Sequence, residues 1–562
     1  MLKKTVIISI FLILIFVWKD YKKIDFHYVN QKKITYSSSN LNNSYLKKIH
    51  KYLNQRYELF LVKNFNKHKN HWVLEDEEDR KSKKEFKYYE NKKDFNSSLI
   101  QFKNNSLNWS RSHGNNTSNR FSSLNQINSS NAKNIKLAWI FKHDGYKSDI
   151  QANPIVNDGV IYTPISGGFI AAIKADTGQL IWKSKEYGYY VARRGLVYWD
   201  NNKSLEPRLY FSNREKLICL NVLTGEEIKS FGGDGMIRTG LNVLTPVINN
   251  ESNEIIIATW DRSVEVYDLF TGKTKWKLKY YPNKNTRVGG KKYNNTGANP
   301  WGGISFDAKR QILYLATGNP HSYYDGTLRP GNNIGASSIN AIDVRNKKMI
   351  WTFQETFHDI WNSDLPAPPI LTSIKINNKF VDVIVNPTKR ANTLILDSVS
   401  GEPIFNYRYR KAPVAKIKGE KTSPYQPDLE TPTPFGKNIF KESDFWSYDE
   451  KLLIETKKKY KDFRYGFYQT HELGYKNLQY NQSGGAEWMG ASIDHVNRVM
   501  YVTSNNIPYE TEVELDDENS IIPTYTSFLE RALDKNGYPI SKPPWGTITA
   551  MNLDNGTIIW QV

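Results

Sequence analysis

The stretch AAIKADTGQLIW (Ala171–Trp182) decides the fold. An apolar run leads into a polar turn that closes on glycine, and a second short run leaves it for a large aromatic ring. Glycine accepts the left-handed backbone that tight turns between antiparallel strands require. The same figure returns as ICLNVLTGEEIKSF (Ile218–Phe231), VEVYDLFTGKTKW (Val264–Trp276) and INAIDVRNKKMIW (Ile339–Trp351). Two more copies follow, TLILDSVSGEPIF (Thr393–Phe405) and ITAMNLDNGTIIW (Ile548–Trp560). Gly178, Gly225 and Gly272 stand 47 residues apart, the length of one four-stranded blade. Six copies, each ending in a ring able to dock on a neighbour, predict an all-β propeller. The fourth carries Lys347 in place of glycine, which predicts a remodelled turn.

Composition narrows the function. The net charge of +20 invites a nucleic-acid reading, but residues 1–100 hold 21 Lys/Arg against 11 Asp/Glu, half of the excess in under a fifth of the chain. A basic tether beside an anionic membrane suits that distribution better, so no nucleic-acid partner is expected. Cys219 is the only cysteine, which excludes an intrachain disulfide and a CxxCH haem attachment within this sequence.

The opening MLKKTVIISIFLILIFVWKD sets two lysines before an apolar run. Residues 1–20 read as a signal anchor or signal peptide that exports the protein. Residues 21–105 read as a basic polar tether and 106–562 as the propeller. The sequence stops two residues beyond Trp560, so the propeller is expected to be incomplete: a truncated or split gene product, or a chain whose remaining blades a partner polypeptide supplies. The gap between Gly401 and Gly556 exceeds one blade, and its insertions are expected to build the mouth of a site.

The candidate site lies in Pro300–Asp397. PWGGISFDAKRQILYLATGNP (Pro300–Pro320) sets an indole, Trp301, ahead of an amide, Asn319, on a Gly-Asn-Pro turn. HDIWNSDLPAPP (His358–Pro369) adds acidic groups, and NPTKR adds Lys389. A broad ring, a fixed carbonyl oxygen, an acidic loop and a lysine are the parts needed to hold a flat, polyanionic, metal-bound redox cofactor.

From Trp109 to Val562 the chain resembles the quinoprotein dehydrogenases that use pyrroloquinoline quinone (PQQ). The motifs in order are RRGLVYW, TGNP, RPGNN, HDIW, PAPP, SPYQP and PPWGTITAMNL. RYGFY followed by GGAEWMG is closest to the membrane glucose dehydrogenase type. The resemblance implies an eight-bladed propeller lacking its last blades here. It implies Trp301 as the floor under the quinone, Arg194 on a PQQ carboxylate, and Lys389 beside the reactive carbonyls, with Arg390 its neighbouring alternative. Asn319, Asp261 and Asn362 fall where the family binds Ca²⁺, or Mg²⁺, and Glu487 and Trp488 match a segment facing the cofactor.

One departure bears on catalysis. The family motif ends HD-x-W-D, its last Asp acting as general base, whereas this chain has Asn362, and an amide has no useful basicity. Asp359 and Asp364 are candidate substitutes, or loop-capping carboxylates. The function implied is an exported, periplasmic dehydrogenase anchored in the inner membrane. It would oxidise a sugar or alcohol and pass electrons to ubiquinone or a separate cytochrome. The alternatives are a non-catalytic propeller scaffold and one half of a split enzyme.

Overall fold

The structure is a computed structural model describing residues 80–562, apart from 82, 90–94, 96, 99–107, 145–149, 201–205, 281–284, 289–290, 295–296, 330 and 517–524. The apolar N-terminal run and the tether up to residue 79 lie outside the described residues. Among the described residues no helix is long and apolar enough to cross a membrane.

Six antiparallel sheets follow one another along the chain, at 155–183, 196–242, 247–279, 304–354, 370–397 and 491–561. Each carries one copy of the motif. The second and fifth sheets have three strands and the others four. This is a propeller-type, all-β fold that includes a ten-residue α-helix, Glu450–Lys459. Apolar side chains of consecutive sheets interleave: Ile170 and Tyr162 with Phe211, Tyr210 with Tyr267, Val266 with Phe306, Tyr314 with Leu371, and Val383 with Met500. The core is thus a chain of inter-blade layers.

The motif works as its residue types suggest. Its polar position caps the turn: Asp268 accepts from the backbone of Phe270 and Thr271, and Asp397 from that of Val399 and Ser400. The closing aromatic lies on the glycine turn of the following blade. A Cβ on Gly225 would sit 2.4 Å from the Trp182 ring, and one on Gly401 2.4 Å from Trp351. Trp182 Nε1 donates to the Val222 carbonyl (2.8 Å) and Trp351 Nε1 to that of Ser398 (3.3 Å), in both cases three residues before the glycine. Trp139 docks on Gly178 in the same way.

Two expectations need correction. The fourth turn is not remodelled: Lys347 takes the left-handed conformation itself, at φ +54°, because Asp343 caps the backbone of Asn346 as Asp268 and Asp397 cap theirs. Part of the stretch expected to be tether is folded. Phe86–Tyr89 pairs with Tyr407–Lys411, which in turn pairs with Tyr425–Asp428. Just before it, the buried Arg80 donates to the carbonyls of Ala412, Thr422 and Ser423.

Candidate active site

Strand alternation sets the place of the site. Connections entering a first strand and loops between second and third strands fall on the same face of an antiparallel meander. Arg194 precedes Leu196–Trp199, Trp301 precedes Ile304–Asp307, and Asp364 precedes Ile370–Ile376. Glu487 precedes Ala491–Asp494, while Asn319 and Lys389 follow second strands.

Asp364 joins them. Its Oδ1 accepts from Trp301 Nε1 (3.2 Å) and the Asn319 backbone N–H (2.9 Å), and its Oδ2 from Lys389 Nζ (2.8 Å). Local sequence makes the approach possible: a Cβ on Gly318 would meet Asp364 Oδ1 at 2.4 Å, and one on Gly302 the Pro366 carbonyl oxygen at 1.4 Å. Burial alone would lower the Lys389 pKa, but Asp364 and Glu487 overcome it and raise it, so the lysine stays charged.

Arg194 reaches the same cluster. Its Nε donates to the Trp301 carbonyl (3.3 Å) and its Nη1 to Gln151. The guanidinium lies 4.4 Å from the Trp488 ring centroid and 5.2 Å from that of Trp301, and the two indoles are 6.1 Å apart. Trp301, Asn319, Asp364, Lys389, Arg194, Glu487 and Trp488 are therefore gathered in one place. Asp261 stands outside that set: it is exposed, accepts from Thr259 and pairs with Lys279 at 3.8 Å.

Asn362 and Asp359 have other surroundings. Asn362, at φ +56°, donates to Gln482 Oε1 (3.1 Å), which also accepts from the Tyr324 hydroxyl. Asp359 accepts from Ser337 Oγ (2.7 Å), the Trp361 amide (2.8 Å) and the Ser363 amide (2.9 Å), so it is a loop-capping carboxylate. Arg390 lies over the Tyr468 ring at 3.7 Å and leaves the cation position to Lys389.

The long insertions clamp the HDIW loop, as expected of segments at a site mouth. Trp361 is buried, with Nε1 on the Gln469 carbonyl (2.8 Å), while Asn481 and Gln482 both donate to the Trp361 carbonyl. His358 sits between the Gly331 carbonyl (2.7 Å) and Glu420 (2.6 Å). Burial opposes ionisation of Glu420, but His358 beside it holds its pKa down at about 2. Gln151, Gln482, Tyr324 and Glu420 escaped the sequence reading. Glu420 lies 62 residues from its partner in a stretch without periodicity, and no local signal marks it.

Residues 109–562 match the family model "Glucose/ethanol/alcohol dehydrogenase, beta-propeller domain". The chain belongs to the PQQ-dependent dehydrogenase family. Among curated relatives, the quinate/shikimate dehydrogenase (quinone) of Acinetobacter baylyi is 24% identical over 531 residues, covering 81% of this chain and 66% of the relative. The quinoprotein glucose dehydrogenase of Escherichia coli is 24% identical over 511 residues, covering 79% and 64%. The chain thus spans about two thirds of the length of these relatives. Among solved structures, the quinohemoprotein alcohol dehydrogenase of Comamonas testosteroni superposes with a TM-score of 0.56 at 20% identity, over 81% of this chain and 67% of that one. That likeness bears on the fold.

The residues present fit PQQ, a flat quinone carrying three carboxylates. Arg194 and Lys389 supply cations, Trp301 an indole face, and two buried donors lack partners, Asn319 Nδ2 and Trp488 Nε1. For a hard cation the protein offers less. Among the described residues no group of three acidic, histidine or cysteine side chains is placed to hold a metal ion.

Proposed function

We propose that this chain is an exported, PQQ-dependent dehydrogenase that oxidises a sugar or related alcohol at a CH–OH group. The observation that carries the reading is the single carboxylate of Asp364 holding Trp301, Asn319 and Lys389 together. When bound, PQQ supplies a two-electron quinone acceptor for hydride. Trp301 provides the stacking surface and Arg194 a guanidinium for a carboxylate. Lys389, buried and held charged, would stabilise negative charge developing on a bound quinone. Asn319 and Asn362 would offer amide oxygens to Ca²⁺ or Mg²⁺, while Asp261 remains with Lys279. In this reading electrons leave to ubiquinone or a separate cytochrome. The basic, apolar N-terminus supports a periplasmic protein held at the inner membrane.

The test is reconstitution with PQQ and Ca²⁺, followed by artificial dye reduction with aldoses, acyclic polyols and cyclic hydroxy acids such as quinate. Dye reduction that needs both PQQ and one of these substrates is expected. Bound PQQ with no turnover on any of them would favour the scaffold reading.

A further inference from the structure

We propose that Glu487 accepts the substrate's hydroxyl proton, an inference that rests on the dehydrogenase reading above. The site must contain a base, and the amide of Asn362 has no useful basicity. The other carboxylates nearby are committed. Asp364 takes three donors and Asp359 takes three. Glu355 is fully buried and takes Thr388 and Asn392, both at 2.8 Å. Among the described residues, the Glu487 carboxylate alone in this group has neither a hydrogen bond nor an ion pair, and it is only partly buried.

Its position is built. Gly485, at φ +59°, lies so close to the Thr388 and Lys389 carbonyl oxygens that a Cβ would meet each at 2.4 Å. The Ala486 amide donates to the Thr388 carbonyl (3.0 Å), and the Gly490 amide closes a turn on the Glu487 carbonyl (2.8 Å). The segment GGAEWMG is thereby pressed onto the Lys389 loop. Its next residue, Trp488, packs on Arg194. The charged groups facing Glu487 are Lys389, Asp364 and Arg194. Burial pushes its carboxyl up to about 7; Lys389 and Arg194 hold it down and Asp364 raises it, which suits a base working near neutral pH.

In the step, the substrate O–H bond breaks and its proton goes to a Glu487 oxygen. The C–H electron pair leaves as hydride to the quinone, and C–O becomes C=O. The partial exposure of Glu487 gives the proton a way back to water.

The experiment compares wild type with Glu487→Gln, first without cofactor and then with PQQ and Ca²⁺. Without cofactor, tryptophan emission is expected to change with a midpoint near pH 7 through Trp488, and the isosteric amide should abolish that transition. With cofactor, Glu487→Gln should bind PQQ within about threefold of wild type. It should lose roughly a hundredfold or more in turnover, together with the rise in rate on going through pH 7. A variant that keeps wild-type turnover and pH profile overturns the inference and leaves the dehydrogenase standing. So does one whose loss follows weakened PQQ binding alone, or a wild type without the pH transition. A wild type that binds no PQQ overturns the dehydrogenase reading, and this inference with it.

Discussion

Asp364 and Lys389 form a buried ion pair, Oδ2 to Nζ 2.8 Å, between the loop entering the fifth blade and the loop after that blade's second strand. Both side chains are less than a tenth exposed. Removing one partner of such a pair leaves the other charge uncompensated, which costs far more than the pair contributes. Asp364→Asn is therefore expected to lower stability by about 3 kcal/mol in urea unfolding. An unchanged midpoint would mean that Lys389 relaxes into water.

Glu355 makes stability depend on pH. Burial pushes its folded pKa from 4.5 up to about 7, against Asn392, Arg390 and Thr388, which lower it. A carboxyl raised in the folded state binds more protons there than in the unfolded chain. Stability therefore falls as pH climbs from about 4.5 to 7 and levels off above. Glu355→Gln should flatten that window and be more stable than wild type at pH 8, by up to roughly 3 kcal/mol. Unfolding midpoints at pH 5 and pH 8 decide it; parallel curves would show that the group ionises freely.

Lys347 carries a backbone conformation that glycine holds in the sister turns, φ +54° against +72° at Gly178 and Gly272. A residue with a Cβ there costs about 1 kcal/mol. Lys347→Gly is expected to raise stability by about that amount, offset in part by the greater freedom of glycine in the unfolded chain. Thermal unfolding reads this directly, and a lowered midpoint would refute it.

Trp351 couples the fourth blade to the fifth through the Gly401 turn. Trp351→Ala removes the ring and its hydrogen bond, and a loss of about 3 kcal/mol is expected. Gly401→Val should weaken the fold as well, since its Cβ would enter the Trp351 ring. If only one of the two substitutions destabilises, docking is not what holds these blades together.

Much of this fold was legible because each blade repeats one local device. In most copies an Asx-type cap, a left-handed turn and an aromatic sit at fixed offsets, so Asp268, Gly272 and Trp276 could be read together without long-range information. The site was legible where motif residues fall on connections between blades, as at Trp301, Asn319, Asp364 and Lys389. What stayed hidden is what the insertions bring back across space. Glu420 meets His358, Gln482 meets Asn362, and Phe86–Tyr89 pairs with Tyr407–Lys411 some 320 positions away. Asp359 showed that an acidic residue in a functional motif can be consumed by its own loop. Lys347 showed that a capped turn forces its geometry on whatever residue occupies it.

The most direct measurement is a PQQ titration followed by tryptophan fluorescence, with and without Ca²⁺, in wild type and Trp301→Ala. Saturable quenching is expected in wild type, strengthened by Ca²⁺, with its loss or strong weakening when the indole is removed. Absence of quenching in wild type at every calcium level, or equal quenching in both proteins, would contradict a cofactor site built on Trp301.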